Sequence, residues 1–387
     1  MKIVAAFDSF KGSLSAQDIV TIVGKVVRTT LPNATITELP LADGGEGTTE
    51  ALVHYLNASW QICNAHDALM RPITTKYAIS SNGTTAIMDM ASAAGLTLLS
   101  SEERNPMLTT TFGVGEMLKD AISKGCKHIL LGIGGSATND AGIGMLAALG
   151  VKFYDNHKRE VTPIGRNLQN ISTIDRRYLL DLSNINIEVI CDVTNPLYGP
   201  NGAAYVYARQ KGANNTEIAT LDKGLRHLST LCSIFPNTPG AGAAGGLGYA
   251  LLSLNAQLKN GAELVLNTAN LAHHIADADL IITGEGKIDR QTLCGKLPLA
   301  VLQKAKQAKV PVVALAGCVE DNELLLVAGF QEVKSINDIC ISSLPIPQLM
   351  QPTIATKNLC ETIIQLLKIY TPISNKTTLN EERKHLL

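Results

Sequence analysis

Eight cysteines are scattered along the chain at 63, 126, 191, 232, 294, 318, 340 and 360, and no C-x-x-C pair occurs. That excludes a zinc ribbon and a disulfide frame, and it reads the thiols as reduced and mostly buried. Cys294 alone lies among polar loop residues, where a thiol could react. An excess of charge is also missing, since 33 basic residues face 34 acidic ones for a net charge of −1. With no basic run or aromatic-interleaved stripe, there is no electrostatic footprint for nucleic acid or an anionic membrane. No apolar run reaches the ~18 residues that a membrane span needs. The opening MKIV enters an apolar stretch without the zones of a signal peptide, so the expectation is a cytoplasmic protein. The sole histidine pair, His273 and His274, is adjacent, which points the rings different ways on a helix and argues against chelation. There is no G-x-S-x-G, no protein-kinase catalytic loop and no Walker A motif. Gly295 and Lys296 are followed by Leu297, and Arg290 stands where the first Walker glycine belongs.

What is present is an ordinary globular composition, 45% hydrophobic and 17% charged over 387 residues, enough for two domains with sizeable cores. The chain is organised around the run ILLGIGGSATNDAG at 129–142. It reads as a short apolar strand, a loop of glycines and small hydroxyl residues, and a helix over 141–149. Such a junction turns backbone N–H groups toward one point and suits a phosphate or carboxylate. Gly134 and Gly135 would supply the bends, Ser136, Thr138 and Asn139 neutral hydrogen bonds, and Asp140 a ligand for a metal ion or a substrate hydroxyl. The alternative is a tight strand-to-helix turn whose glycines serve packing alone.

From the start of the chain, residues 3–7 form a compact apolar strand. Ser15 and Asp18 resemble a capping box ahead of a helix whose apolar positions 19, 20, 23, 26 and 27 share one face. A second strand at 35–39 delivers Asp43 and Glu46 among glycines, and a helix follows over 48–56. Two strand–loop–helix units predict a parallel sheet. The pattern then changes to β-rich runs at 73–79 and 84–90 joined at Asn82-Gly83, a hairpin signal. A helix at 113–124 precedes the central strand. Residues 187–191 form a strand ending at Asp192, and 204–208 read as another. GAGAAGGLG at 240–248 fits the dinucleotide-binding G-x-G-x-x-G, but the proline-rich 235–239 is a poor strand to feed it. Strands at 280–283, 312–315 and 332–336 and helices at 298–309 and 354–367 restore the βα style. The segment 371–387 reads as a loose polar tail.

These elements predict an α/β fold of two domains. A parallel domain comprises 1–48 and 265–387, and a mixed α/β domain, 49–264, is inserted into it. Ligands of open parallel sheets bind at the carboxyl ends of strands. Asp8, Lys11, Asp43, Glu46, Glu285 and Asp289 stand there, with Lys296 close by in sequence. Glycine loops, lysines and several acids are what ATP-dependent phosphoryl transfer needs. Asp43 is either functional or the cap of the next helix. Lys11 is either a phosphate ligand or a solvated turn residue, and Asp192 either a base or an Asx-turn former. Arg71 and Arg104 are the candidates for a bidentate grip on a carboxylate.

Taken together, the motifs resemble one family, the bacterial glycerate kinases of type I. They are DSFKGSLS (8–15), ADGGEGT (42–48), ERNP (103–106), GIGGSATND (132–140), CD (191–192) with NP (195–196), QKG (210–212), GAGAAGGLG (240–248), TGEGKID (283–289), QT (291–292) and GK (295–296). They come in the family's order and run to about residue 335; the C-terminal part past 337 matches poorly. The resemblance implies ATP-dependent phosphorylation of D-glycerate with Mg²⁺, on the 2-hydroxyl to give 2-phospho-D-glycerate. It also implies a flavodoxin-like three-layer domain and an active site in the interdomain cleft. Asp43, Asp192, Lys11 and Asp289 are the catalytic candidates, and Asp8, Arg71 and Arg104 those for substrate. Gly134, Gly135, Ser136, Thr138, Asn139 and Lys296 are expected at the ATP phosphates, and Asp140 and Glu285 at the metal. The 240–248 glycines become part of the family pattern. Phe7 departs from it, standing where the family has proline. Two other readings remain at this point, a nicotinamide-dependent oxidoreductase of a small hydroxy acid and a non-catalytic sensor of small carboxylates. Oligomeric state is not legible.

Overall fold

A computed structural model describes residues 1–45, 47–337 and 344–370. Expectations for Glu46, Cys340, the Cys294 side chain and the tail 371–387 lie outside the described residues. Contacts divide the chain into unit 1, Met1–Ala51 with Gly261–Leu387, and unit 2, Leu52–Asn260. In chain order the strands are β1 (Lys2–Phe7), β2 (Thr35–Pro40), β3 (Ser59–His66), β4 (Pro72–Ile79), β5 (Thr85–Asp89), β6 (His128–Gly132) and β7 (Lys152–Tyr154). There follow β8 (Thr173–Asp175), β9 (Asn186–Ile190), β10 (Gln257–Lys259), β11 (Leu280–Ile288), β12 (Val312–Val319) and β13 (Glu332–Ser335).

Unit 1 holds a five-stranded sheet in the order β13-β12-β11-β1-β2, with every described pairing parallel. Counted along this unit's own strands, that is the flavodoxin-like order with its reversal between β1 and β11. Strand β1 is apolar at nearly every position because both of its faces are covered. Ile3, Ala5 and Phe7 share a core with the helices Ala16–Thr30 and Pro352–Tyr370. Val4 and Ala6 are equally buried, and helix Leu297–Ala308 packs on β1, β11 and β12. The capping box at Ser15 forms. Its return bond from the Ser15 N–H to Asp18 is long at 3.4 Å, as the short aspartate side chain requires. Phe7, the departure from the family pattern, packs edge-on against Phe10 at 6.4 Å between ring centroids. Its ring leaves no space for a side chain at Gly284, where a Cβ would stand 2.8 Å from Phe7 Cε1 and 2.0 Å from the Leu315 carbonyl oxygen.

Unit 2 holds a six-stranded mixed sheet in the order β10-β9-β6-β5-β4-β3. Strands β10, β9, β6 and β5 are parallel, and β5, β4 and β3 antiparallel. The hairpin at Asn82-Gly83 is present, with Gly83 at φ +73°. Sequence reasoning missed β3, an edge strand burying only Cys63 and Ala65, too weak a pattern to read. The strand expected at 204–208 is instead the helix Ala203–Tyr207. Buried Ala203 and Ala204 follow an extended Gly202, and alanine favours the helical continuation. No described helix is long and apolar enough to cross a membrane.

Candidate active site

At the carboxyl edge of the unit 1 sheet the parallel register brings polar residues together. Phe7 pairs with Gly284 on one side and Pro40 on the other, so the residues after β1 and β2 emerge beside Glu285 of β11. The Asp8 N–H bonds the Gly284 carbonyl at 3.0 Å, and the Leu41 N–H bonds the Phe7 carbonyl at 2.8 Å. Asp8 is buried and accepts the Ser9 N–H at 2.6 Å. Burial, then the neighbouring Asp43 and more weakly Glu285, push its carboxyl up to about 7, against the pull of the Ser9 N–H and Lys11. Glu285 is buried, bonded by the Thr292 hydroxyl at 2.7 Å and the Lys296 ammonium at 3.2 Å. Burial still raises its pKa, with Asp43 adding to the rise. Asp43 accepts the Gly45 N–H at 3.0 Å. A Cβ on Gly45 would stand 3.1 Å from Asp43 Oδ1 and 4.0 Å from Lys11 Nζ, so acid and ammonium flank that glycine.

A cavity of about 560 Å³ opens here, within unit 1. Asp8, Lys11, Glu285 and Lys296 give it a charged side, and Phe10, Val319, Ile336 and Met350 an apolar one. It lies where strand order reverses, the usual ligand crevice of such sheets. Ser13 also lines it, and the Ser13 hydroxyl is buried without a hydrogen-bond partner. Among the described residues no cluster of three or more His, Cys, Asp or Glu could hold a metal ion. Mg²⁺ needs only one or two carboxylates beside phosphate oxygens, and hard, incompletely neutralised donors such as Asp8, Asp43 and Glu285 fit that requirement.

In unit 2 the central loop leaves β6 at its carboxyl end and is tied down on several sides. Ala137 N–H bonds the Ala94 carbonyl at 2.8 Å, Leu96 N–H the Gly135 carbonyl at 2.8 Å, and the Thr109 hydroxyl the Ala137 carbonyl at 3.0 Å. Gly134 and Gly135 are exposed, while Ser136, Thr138, Asn139 and Asp140 are buried. The Thr138 hydroxyl and both side-chain polar atoms of Asn139 have no hydrogen-bond partner, and neither has the buried Arg104 Nε. The cation on this loop is Lys211, buried and donating to Ser136 Oγ at 2.6 Å and the Thr138 carbonyl at 2.7 Å. Burial pulls its ammonium down to about 7, against the favourable charge of Asp140. Lys11 and Lys296, expected at this loop, belong to unit 1.

Several sequence candidates have structural partners of their own. Asp140, expected at a metal, is fully buried and accepts the N–H groups of Thr111, Gly142 and Gly144 and the Thr111 hydroxyl. It organises a turn in which Ala141 and Gly142 take φ of +54° and +72°, which delays the expected helix start at 141 to Ile143. Asp289 caps the short helix Arg290–Cys294 through the Gln291 N–H at 2.8 Å. Arg71 is held by Asp67 and by Glu103, the latter at 2.6 Å, which leaves Arg104 as the arginine with unspent donors. Asp192 is exposed and accepts the Asn260 side-chain amide at 2.9 Å. The 240–248 glycines follow no strand. Ala244, Gly245 and Gly246 are left-handed, and a Cβ on Gly245 would stand 2.1 Å from the Thr138 carbonyl oxygen. They are a close-packed floor under the 138–141 loop, which removes the basis of the nicotinamide reading. Lys211 was missed as a site residue. Its only sequence signal is the QKG motif, because a lysine in a loop looks solvated until the fold buries it.

The two units define an α/β protein whose polar groups gather at the carboxyl ends of parallel strands. The chain belongs to the glycerate kinase family, whose sequence model matches residues 3–370. Glycerate kinase of Bacillus subtilis is 42% identical over 344 residues, 87% of this chain and 90% of that one. Glycerate 2-kinase of Escherichia coli K12 is 42% identical over 329 residues, 83% of this chain and 86% of that one. A crystal structure of a Salmonella typhimurium LT2 protein, provisionally named glycerate kinase 2, superposes with a TM-score of 0.82 at 38% identity. The match covers 95% of this chain and 99% of that one.

Proposed function

We propose that the protein is a glycerate 2-kinase, transferring the γ-phosphoryl group of ATP to the 2-hydroxyl of D-glycerate. Membership of the family supports the reaction, and the observation that carries the site is the Asp8 carboxyl, poised near neutrality beside Asp43 and Glu285. A base whose pKa lies near working pH is both deprotonated often enough and basic enough to take a hydroxyl proton. In this reading Asp8 accepts the proton of the attacking hydroxyl, with Asp43 setting its affinity. The hydroxyl oxygen bonds to the γ-phosphorus as the bond to the bridging oxygen breaks, and ADP departs. Lys11 and Lys296 offset negative charge on the transferring group. Mg²⁺, held by Asp43 or Glu285, would supply further charge neutralisation at the phosphates. The cavity beside these groups takes the nucleotide, its apolar side the base and its unpartnered Ser13 hydroxyl a polar atom of the ligand. The loop at Gly134–Asn139 and Arg104 of unit 2 hold an anionic group of a substrate. Asp192 is retained as a second candidate base. ATP as donor goes with a cytoplasmic location, and the ligands are small molecules, with no nucleic acid or membrane among them.

The test is ATP-dependent turnover of D-glycerate with Mg²⁺, the product being offered to enolase alone. Direct conversion by enolase establishes the 2-kinase. A product that enolase ignores until a mutase is added moves the phosphate to the 3-hydroxyl, and no glycerate-dependent ADP overturns the reading.

A further inference from the structure

Lys211 is an ammonium with three donors and no acceptor. It is buried and feels the favourable charge of Asp140 only from beyond ion-pair distance, and among the described residues no carboxylate forms an ion pair with it. One N–H goes to the Thr138 carbonyl and one to Ser136 Oγ. Because Ser136 Oγ accepts from the ammonium, its own O–H must point away from that positive charge. Among the described residues that hydroxyl has no acceptor, and Ser136 keeps 8% of its surface beside the exposed Gly134 and Gly135. Next to it lie the buried, unpartnered polar atoms of Thr138 and Asn139. A loop that fulfilled only its own packing would not retain so much unspent hydrogen-bonding capacity around a buried ammonium that only Asp140, beyond ion-pair distance, partly compensates.

We propose that Lys211 is a positioning residue that turns the Ser136 hydroxyl into a dedicated donor for an anionic substrate oxygen, carboxylate or phosphate. The inference rests on the kinase reading and deepens it, since both substrates of that reaction carry such oxygens. The ammonium also places a positive charge behind the loop that favours an anion, and a bound anion in turn favours the ammonium over the free amine. Lys211 then acts through Ser136 and does not touch the substrate. The chain packing supports this placement. Gly212, at φ +98°, lets the backbone close against Arg104, where a Cβ would stand 2.0 Å from the Arg104 carbonyl oxygen. Lysine, serine and the arginine with a free Nε are thus tied to one another.

The alternative is that Lys211 only ties the loop together. Removing a buried ammonium relieves its desolvation cost, and methionine keeps the length of the side chain, so Lys211→Met separates the two roles. D-glycerate and ATP, each with Mg²⁺, are titrated calorimetrically into the full-length protein, Lys211→Met, Ser136→Ala and the double variant. The expected result is an affinity loss of about tenfold or more for one ligand in each single variant, as for loss of a charge-assisted hydrogen bond. The other ligand stays within about twofold, and the double variant is no worse than the weaker single one, because the two residues act as a unit. Loss of glycerate binding identifies the anion as the carboxylate, and loss of ATP binding as a phosphate. Wild-type affinity for both ligands in a folded Lys211→Met, or losses that multiply in the double variant, overturns the proposal. Should Lys211→Met fail to fold, Ser136→Ala decides, its wild-type affinity for both ligands counting against the proposal and a tenfold loss for one counting for it. If the wild-type protein binds neither ligand, the kinase reading falls first and the subsite with it.

Discussion

The carboxyl edges of the two parallel strand sets are built alike and charged differently. In unit 1, β1, β2 and β11 bring Asp8, Asp43 and Glu285 together with Lys11 and Lys296, and burial sets the carboxylates against one another until Asp8 holds its proton near neutrality. In unit 2, β6 feeds a loop of glycines, hydroxyls and an amide, and its one carboxylate, Asp140, is spent on four backbone and side-chain donors. The same topology therefore supports two kinds of polar chemistry. Carboxylates left partly uncompensated can move protons, whereas neutral donors backed by a buried ammonium can only bind. Strand ends supply the position; the charge balance of the loop decides what is done there.

The contrast breaks most severely at Asp8. Asp8→Asn is expected to lower kcat by about 10²–10⁴-fold, the usual worth of a general base. The same change stabilises the protein at alkaline pH. The folded pKa of about 7 lies above the ordinary aspartate value, so the folded state holds the extra proton between the two, and stability falls as pH rises through that window. Asp8→Asn cannot ionise, so its Tm should exceed the wild type's by roughly 2–4 °C or more at about pH 8. The two should converge near pH 4, as thermal unfolding across pH would show. A lower Tm at pH 8 would mean that Asp8 is a paired structural carboxylate.

Asp140→Ala should do the reverse. Four donors lose their acceptor inside the protein, so a stability loss on the order of 3 kcal/mol is expected from denaturant titration. The Mg²⁺ concentration for half-maximal turnover of the folded fraction should stay unchanged. A shifted Mg²⁺ requirement would return Asp140 to the metal and erase the difference between the two edges.

Asp43→Asn sharpens the unit 1 side. It removes the second-largest cause of the raised Asp8 pKa, so the acidic limb of the kcat/KM profile should move below 7, whatever loss of rate accompanies the loss of a Mg²⁺ carboxylate. An unmoved limb would assign the profile to another group. The smallest effect belongs to Arg71→Ala, which frees an exposed side chain from Asp67 and Glu103. Steady-state kinetics should give kcat/KM within about twofold, with a stability loss of about 1–2 kcal/mol because the buried Asp67 carboxylate loses its cation but keeps its backbone donors. A large rise in the KM for glycerate would restore Arg71 to the substrate.

Much of the parallel architecture was legible because its signals are local. The apolar runs of β1, β11 and β12, the capping box at Ser15, the Asn82-Gly83 turn and the proline opening helix Leu297–Ala308 each specify their element without outside help. Where the local signal was weak, reading failed. Polar edge strand β3 carries no readable pattern, and 204–208 reads as a strand where the fold forms the helix Ala203–Tyr207.

The acids and lysines of the site were likewise visible by their place after strands, but their roles were not. Asp8, Asp140 and Asp289 look equivalent in a sequence, each an aspartate in the polar stretch that follows an apolar strand. Sequence by itself determined the family, the βα order and the residues offered at strand ends, because motif spacing and periodicity are written along the chain. Only the tertiary structure decided that Asp8 shares its field with Asp43 and Glu285, that Asp140 is saturated by Thr111, Gly142 and Gly144, and that Lys211 lies buried beneath Ser136. Ionisation and hydrogen-bond satisfaction depend on burial and on neighbours far away in sequence, and those exist only once the chain has folded.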